Sequence, residues 1–497
     1  MTRVIVGAVV LFSVTAAGQS QGIDPTLARI RAEGLERSQA AEIFHYLTIN
    51  IGPRLTASPA HKRAAEWARD RLASYGLSNV QLEPWKFGRG WELQKLTLEM
   101  IEPRYLPLIG YADGWSAATS GEIVGQPVFA GGKSPDEIAA MAGQVKGAIV
   151  LSQPMMTAFV RKDRPQPSDE DYVANSAAYA TSVGQRPSTP GQETPQQRAQ
   201  RMTAALKNAG AAVILKPSIG EHGTVFVTGR DGGPGATPSI TMSGEHYNLI
   251  VRYLQQAVPV KLRVNVQSTF YDRDGGNAYN VIAELPGTDP ALRDEIVMIG
   301  GHLDSWHTGV GATDNADGST TIMEAIRILK AIGARPRRTI RIALWGGEEQ
   351  GLLGSKAWVA QHLAGEANAG ARAKFDVYFN IDNGTGKIYG WYLQNNAEAR
   401  PIFDSWIEPL RAVGARKNTI EPVGSTDHLS FIDAGVPGFN PIQDYGNYDV
   451  RTHHTNMDTV DRVDVDDIRQ AAIVMATFAY NAANLDRKIP MRPAPAR

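Results

Sequence analysis

Six residues in the second half of this 497-residue chain carry side chains able to bind cations or move protons: His302, Asp314, Glu348, Glu349, Asp382 and His454. They sit in the segments VMIGGHLDSW (297–306), GATDNADGS (311–319), ALWGGEEQGLLGS (343–355), FNIDNGTG (379–386) and THHTNMDT (452–459). Oxygen and nitrogen ligands with no thiolate among them suit a hydrolytic pair of zinc-like ions better than a structural zinc. Such a pair makes hydroxide available near neutral pH when a free carboxylate stands by as base.

Each segment has a plainer reading beside the chemical one. Ile296 to Ile299 followed by Gly300-Gly301 predicts a buried strand that delivers His302 to the carboxyl edge of a sheet, where open α/β folds bind ligands. Asp304, two residues on, is placed to accept the other ring N–H of His302, although an ordinary hydrogen-bonded pair fits the spacing equally well. Asp314 precedes a helix striped with Ile322, Ala325, Ile326 and Leu329, so it reads as a bridging ligand or, like Asp317, as a helix cap. Glu348-Glu349 follows a strand over 339–345 and the turn Gly346-Gly347; adjacent carboxylates against strand ends repel unless cations are present. Their side chains diverge, so one can ligate while the other serves as general base. An exposed acidic helix start is the alternative. Asp382 ends another apolar strand (Val377, Phe379, Ile381), and His454 closes the set from a loop.

The elements that must position these groups follow from composition and periodicity. A chain that is 43% hydrophobic and 20% charged is globular and long enough for two or three domains. Lys plus Arg (50) nearly balances Asp plus Glu (51), so no charge excess points to nucleic acid or an anionic membrane. There is no cysteine, hence no disulfide framework. Met1-Thr2-Arg3, the apolar run Val4 to Val14 and Thr15-Ala16-Ala17-Gly18 predict a signal peptide over 1–20 and a secreted or periplasmic protein. That run is too short to span a bilayer, and no later one reaches the roughly 20 apolar residues required.

Helices are predicted on both sides of Gly52-Pro53-Arg54, and short alternating runs over 80–102 predict strands. Residues 112–257 read as a separate module with strands at 147–151 and 211–215 and a helix at 198–209. Within it, 164–200 is rich in Pro, Gln, Ser and Thr, which predicts a surface loop or a lid. From 296 onward, strands alternating with helices at 319–332 and 352–362 predict a mostly parallel sheet flanked by helices. A helix over 467–485 carries one apolar stripe, and 489–497 is a Pro- and Arg-rich flexible tail.

Taken in order and spacing, GGHLDSW, DN-x-x-G, GGEEQGLLGS, the Asp382 segment and HHTNMDT resemble the cocatalytic zinc exopeptidases. These include leucyl-type aminopeptidases and glutamate carboxypeptidases; the plasma glutamate carboxypeptidase branch is closest in look, over nearly all of the chain after the signal. The resemblance implies an α/β fold, a mostly parallel mixed sheet flanked by helices, built from 21–111 and 258–488. It also implies a smaller β-rich protease-associated domain inserted at 112–257. Two Zn2+ per chain are implied, one held by His302, Asp314 and Asp382 and the other by Asp314, Glu349 and His454, with Glu348 as the base. His453 occupies the place where some relatives carry a tyrosine, which makes it an oxyanion donor or a supporting group. Asp427 in GSTD falls where relatives line the substrate pocket and is placed to meet a substrate ammonium; a turn-stabilising aspartate is the alternative. His307 and His428 are substrate contacts or polar loop residues. The implied activity is hydrolysis of short peptides next to a free terminus, as a carboxypeptidase or dipeptidase, by a homodimer. Aminopeptidase action, a non-catalytic receptor-like binding protein and a one-zinc glutaminyl cyclase are the alternatives.

Overall fold

A computed structural model describes residues 25–164 and 193–492. The expected signal, most of the 164–200 segment and residues 493–497 lie outside the described residues. The helix predicted from 198 begins at Pro195 and runs to Asn208, because Thr194 and Gln197 cap each other's backbone N–H groups and Pro195 fits the first helical turn.

Seven strands form the large sheet: β1 Ser78–Lys86, β2 Asn277–Leu285, β3 Ile296–His302, β4 Thr339–Trp345, β5 Phe375–Asn380, β6 Ile388–Tyr392 and β7 Gly438–Gln443. Their spatial order is β1-β2-β4-β3-β5-β7-β6. The pairs β4–β3, β3–β5 and β5–β7 are parallel, whereas β1–β2, β2–β4 and β6–β7 are antiparallel. The parallel core of the predicted sheet is therefore flanked by antiparallel strands at both edges. Register brings the chemistry together: His302 pairs with Trp345 and Gly300 with Asn380, so three chains leave the sheet side by side at their carboxyl ends.

Alternation along each strand sorts side chains to two apolar layers. Val297, Ile299, Ile340, Ile342 and Leu344 join the core beneath helices Asp317–Ala331 and Val465–Asn484. Met298, Ala343 and Trp345 face the opposite cluster with Trp358, Tyr378 and Phe431. The predicted stripe Ile468, Ala471, Ala472, Met475, Phe478, Ala479 and Ala482 is buried as expected.

Two smaller sheets lie between β1 and β2 in sequence. Gly90–Glu102 pairs antiparallel with Lys261–Tyr271, and Leu106–Pro107 and Ile123–Gly125 complete a four-stranded sheet. This sheet draws strands from both sides of residues 112 and 257. A five-stranded sheet is built from Gly110–Ala112, Ser239–Met242, Val213–Pro217, Ile149–Leu151 and Val128–Phe129, in that spatial order. Trp91, Met100, Leu151, Leu215, Tyr247 and Val264 share one core between the two sheets. Among the described residues, no helix is long and apolar enough to cross a membrane.

Candidate metal centre

The last residue of β3, His302, is wholly buried. Its Nδ1 lies 3.0 Å from the backbone carbonyl of Asp304 and 3.5 Å from that residue's carboxylate. The carboxylate expected to orient the ring also accepts from the Thr56 hydroxyl at 2.8 Å and from the Glu348 and Glu349 N–H groups at 3.2 and 3.4 Å. Asp304 thus aims His302 through its main chain and holds the Glu348-Glu349 turn through its side chain. That turn leaves β4 by way of Gly347, whose φ of +73° and contact with the Trp85 ring leave no room for a side chain.

The free nitrogen of His302, Nε2, faces Asp314 Oδ1 at 3.1 Å and Asp382 Oδ1 at 3.6 Å. The other oxygen of Asp314 lies 3.3 Å from His454 Nε2, which in turn is 2.8 Å from Glu349 Oε2. One carboxylate is thereby shared between two groups of ligands. Asp314 is no helix cap: the N-cap position of Asp317–Ala331 falls on Ala316 and makes no side-chain bond, and Asp317 lies inside the helix. Asp314 is instead fixed by Asp458, whose Oδ1 takes the Thr313 N–H at 2.7 Å and whose Oδ2 takes the Asp314 N–H at 3.3 Å. The backbone carbonyl of Asp382 accepts from the Asn440 side chain of β7 at 3.0 Å.

Electrostatics at this cluster are those of a cation site. Burial opposes protonation of His302, but Asp382, Asp304 and Asp314 together hold its pKa well above the usual imidazole value. Burial opposes it at His454 too, and Glu349 and Asp314 bring that pKa up to about 9. Glu349 is pushed up to about 7 by burial and then by Asp314. Glu348 is driven well above the carboxylate range by burial, with Asp382, Asp427 and Glu349 adding repulsion against the pull of His302. Among the described residues, His302 Nε2, Asp314 Oδ2 and both Glu349 oxygens are buried without a well-directed hydrogen bond, although His454 Nε2 stands 2.8 Å from Glu349 Oε2. Buried polar atoms left unpaired are costly, and convergent oxygen and nitrogen atoms of this kind fit zinc. His302, Asp314 and Asp382 form one group of ligand atoms within 4.8 Å of one another; Asp314, His453 and His454 form another.

The remaining expected residues take up distinct places. Glu348 is buried and engages the cluster through charge. His453 lies against His454 with ring centroids 3.8 Å apart and planes tilted by 40°, and its Nε2 is 4.0 Å from Asp314. Asp427 has no exposure at all, and burial pushes its carboxyl up to about 7. Its charge bears on Glu348. His307 bonds the Ala112 carbonyl at 2.8 Å and packs on Trp91, while His428 bonds the Val423 carbonyl at 3.1 Å. His428 is buried and His307 half-buried, and each bond joins neighbouring segments.

Three residues escape the motif reading. Asp458 is visible only as the acid of the final segment, with nothing in its spacing to mark it as a partner of Asp314. Arg54, fully buried, donates to the carbonyls of Leu303 (2.8 Å), Gly52 (2.9 Å), Val310 (2.8 Å) and Gly311 (2.8 Å), tying the His302 and Asp314 loops together. Its signal is an arginine in a Gly-Pro turn between helices. Tyr448 stacks on His453 at 4.9 Å with its hydroxyl buried and unpaired among the described residues.

An open α/β sheet with this ligand cluster at its strand ends defines a class, the zinc-dependent peptidases, hydrolases that act on peptides. Residues 280–479 match the family model of Peptidase family M28, and the chain carries the domain of that zinc exopeptidase family. Carboxypeptidase Q of Homo sapiens is 26% identical over 459 residues, 92% of this chain and 88% of the relative. A solved Peptidase M28 precursor from Shewanella amazonensis SB2B is 26% identical with a TM-score of 0.69, covering 95% of this chain and 98% of that one. BSAP, a zinc aminopeptidase from Bacillus subtilis, shares the fold at 19% identity and a TM-score of 0.61, covering 91% of this chain and 97% of that one.

Proposed function

We propose that the chain is an exported dinuclear zinc exopeptidase that cleaves short peptides next to a free terminus, in the manner of a carboxypeptidase or dipeptidase. The observation that carries this reading is the divided Asp314 carboxylate, one oxygen toward His302 and the other toward His454. One zinc belongs to His302, Asp314 and Asp382, and the second to Asp314, Glu349 and His454. Bound to these residues, two zinc ions would supply a water acidified toward neutral pH and a Lewis acid for the scissile carbonyl. Glu348, free of the ligand set, takes the proton from the attacking water and delivers it to the leaving amine. Asp304 keeps Glu348 and Glu349 in their diverging orientations through the N–H bonds of their turn. His453 and Tyr448 are the groups available to donate to the oxyanion. Asp427 adds its charge to that around Glu348 and is the carboxylate that would meet a substrate ammonium.

A cleft lined by Trp306, Gly309, Asp314, Glu349 and His454 opens onto the ligand cluster, and a short substrate would enter there. Residues 112–257 serve as a protease-associated domain that shapes access to it, and residues 1–20 direct export. The likeness to carboxypeptidase Q over most of both chains favours carboxypeptidase or dipeptidase action; aminopeptidase action is the second reading, favoured by the fold shared with BSAP. A homodimer is part of the first reading.

A panel of peptides with free, acetylated and amidated ends, run with zinc content measured, tests the assignment. Cleavage that survives acetylation and is abolished by amidation supports carboxypeptidase action; the reverse pattern replaces it with aminopeptidase action. Glu348→Gln is expected to keep both ions and lose about 10²- to 10⁴-fold in kcat. Full activity in that variant with both ions bound overturns the mechanism.

A further inference from the structure

The two groups of ligands are anchored differently. His302 and Asp382 leave the ends of β3 and β5, and Asp314 is fixed by Asp458. His454 lies in a turn with φ of +61°, a left-handed conformation uncommon for a residue with a side chain.

What surrounds that turn comes from a remote part of the chain. The Val227 N–H donates to the His454 carbonyl at 2.9 Å, and Phe226 and Thr455 form an antiparallel bridge. The Asn456 N–H donates to the Val225 carbonyl at 3.2 Å, its side-chain oxygen accepts the Val225 N–H at 2.7 Å, and its amide reaches the Gly223 carbonyl at 3.4 Å. A second attachment lies just upstream. Arg164 donates to both oxygens of Asp449, at 2.6 and 2.9 Å, and lies 4.3 Å over the Tyr445 ring. Asp163 accepts the Asn447 and Val450 N–H groups at 2.8 and 3.0 Å. Both attachments belong to the stretch between β1 and β2, outside the large sheet.

We infer that Gly223–Val227 and Asp163–Arg164 position His454, so that affinity for the second ion depends on this remote stretch while affinity for the first does not. The inference rests on the dinuclear reading above. Asn456 and Arg164 are positioning residues: neither is a ligand, and each holds the backbone that carries one. Loss of groups that orient a ligand costs about 10- to 100-fold in metal affinity.

The test is a zinc titration of the full-length, metal-stripped protein by calorimetry, for the wild type, Asn456→Ser and Arg164→Met. Arg164→Lys serves as the partial rescue, since it keeps the charge without the two-pronged contact. The wild type is expected to bind two ions. Both variants are expected to bind the first ion as the wild type does and the second about 10-fold or more weakly, with unchanged melting of the stripped protein. Unchanged second-ion affinity in both variants overturns the inference and leaves the dinuclear reading standing. An equal loss at both ions overturns it as well, since that is the mark of general loosening. A wild type that binds a single ion removes the dinuclear reading and the inference together.

Discussion

A phenol sealed from water and bonded to nothing is costly unless something else uses it. Tyr448 is in that condition among the described residues, its ring stacked on His453 and its hydroxyl within the field of the ligand carboxylates. Burial, then Asp314 and Asp382, push its pKa well above the usual phenol value, so the group stays protonated and keeps an O–H to donate. A donor of that kind serves an oxyanion and not a base. Tyr448→Phe removes one oxygen while leaving the stack intact, and kcat is expected to fall about 10²-fold with little change in KM or zinc content. A rise in KM at constant kcat would assign the hydroxyl to ground-state binding instead. The sequence pointed to His453 because it stands where some relatives of the resembled family carry a tyrosine, whereas a tyrosine six residues before His454 has no motif to mark it.

At the scale of elements, the turn bearing Glu348 and Glu349 leans on the helix that follows it. A Cβ on Gly354, in helix Leu353–His362, would stand 2.2 Å from the Gly346 carbonyl oxygen and 2.4 Å from Asn280 Oδ1. Asn280 is itself spent on both, accepting from the Gly346 N–H at 3.1 Å and donating to the Gly354 carbonyl at 3.0 Å. Gly354→Ala has no flexible side chain to push aside, so the helix must shift from the turn. The expected cost is about 1–3 kcal/mol in denaturant unfolding, with a fall in kcat as Glu348 moves. Unchanged stability and rate would show that the turn is held by Asp304 alone. This contact also marks where the sequence stops being legible. Strands β3, β4 and β5 announce themselves as apolar runs ending in ligands. In contrast, β7 reads GFNPIQ, and its Asn440 and Gln443 are buried because they bond main-chain groups of neighbouring segments, including the Asp382 carbonyl. Polar residues that serve a site look like loop residues in a sequence. Gly90–Glu102 and Lys261–Tyr271 alternate plainly, but nothing local says that they pair with each other across some 160 residues of chain.

Across the whole molecule, the large sheet gathers more negative charge at one edge than a protein interior tolerates alone. Asp304, Asp314, Asp317, Glu348, Asp382, Asp427 and Asp458 are all buried there, with Arg54 and the ligand histidines as the nearby cations. Without cysteine, the fold has no covalent cross-link to oppose their repulsion. Bound zinc is therefore expected to stabilise the domain, by about 2.7 kcal/mol when free zinc exceeds its dissociation constant 100-fold. In the stripped protein the penalty depends on pH. Burial holds Glu349, Asp427 and Asp458 up to about 7, well above their unfolded values. A raised folded pKa contributes stability at low pH and loses it as pH rises through that value. The stripped protein should accordingly melt lower at pH 8 than at pH 6. The zinc-loaded protein, whose carboxylates are neutralised by cations, should show a smaller difference. Scanning calorimetry of loaded and chelated samples at both pH values, with zinc returned at the end, measures the gap directly. A gap that widens toward pH 8 and closes on zinc return is the expected result. Equal melting of loaded and chelated protein at pH 8 would mean that the buried carboxylates are balanced by the protein itself, leaving the metal no part in holding the sheet edge together.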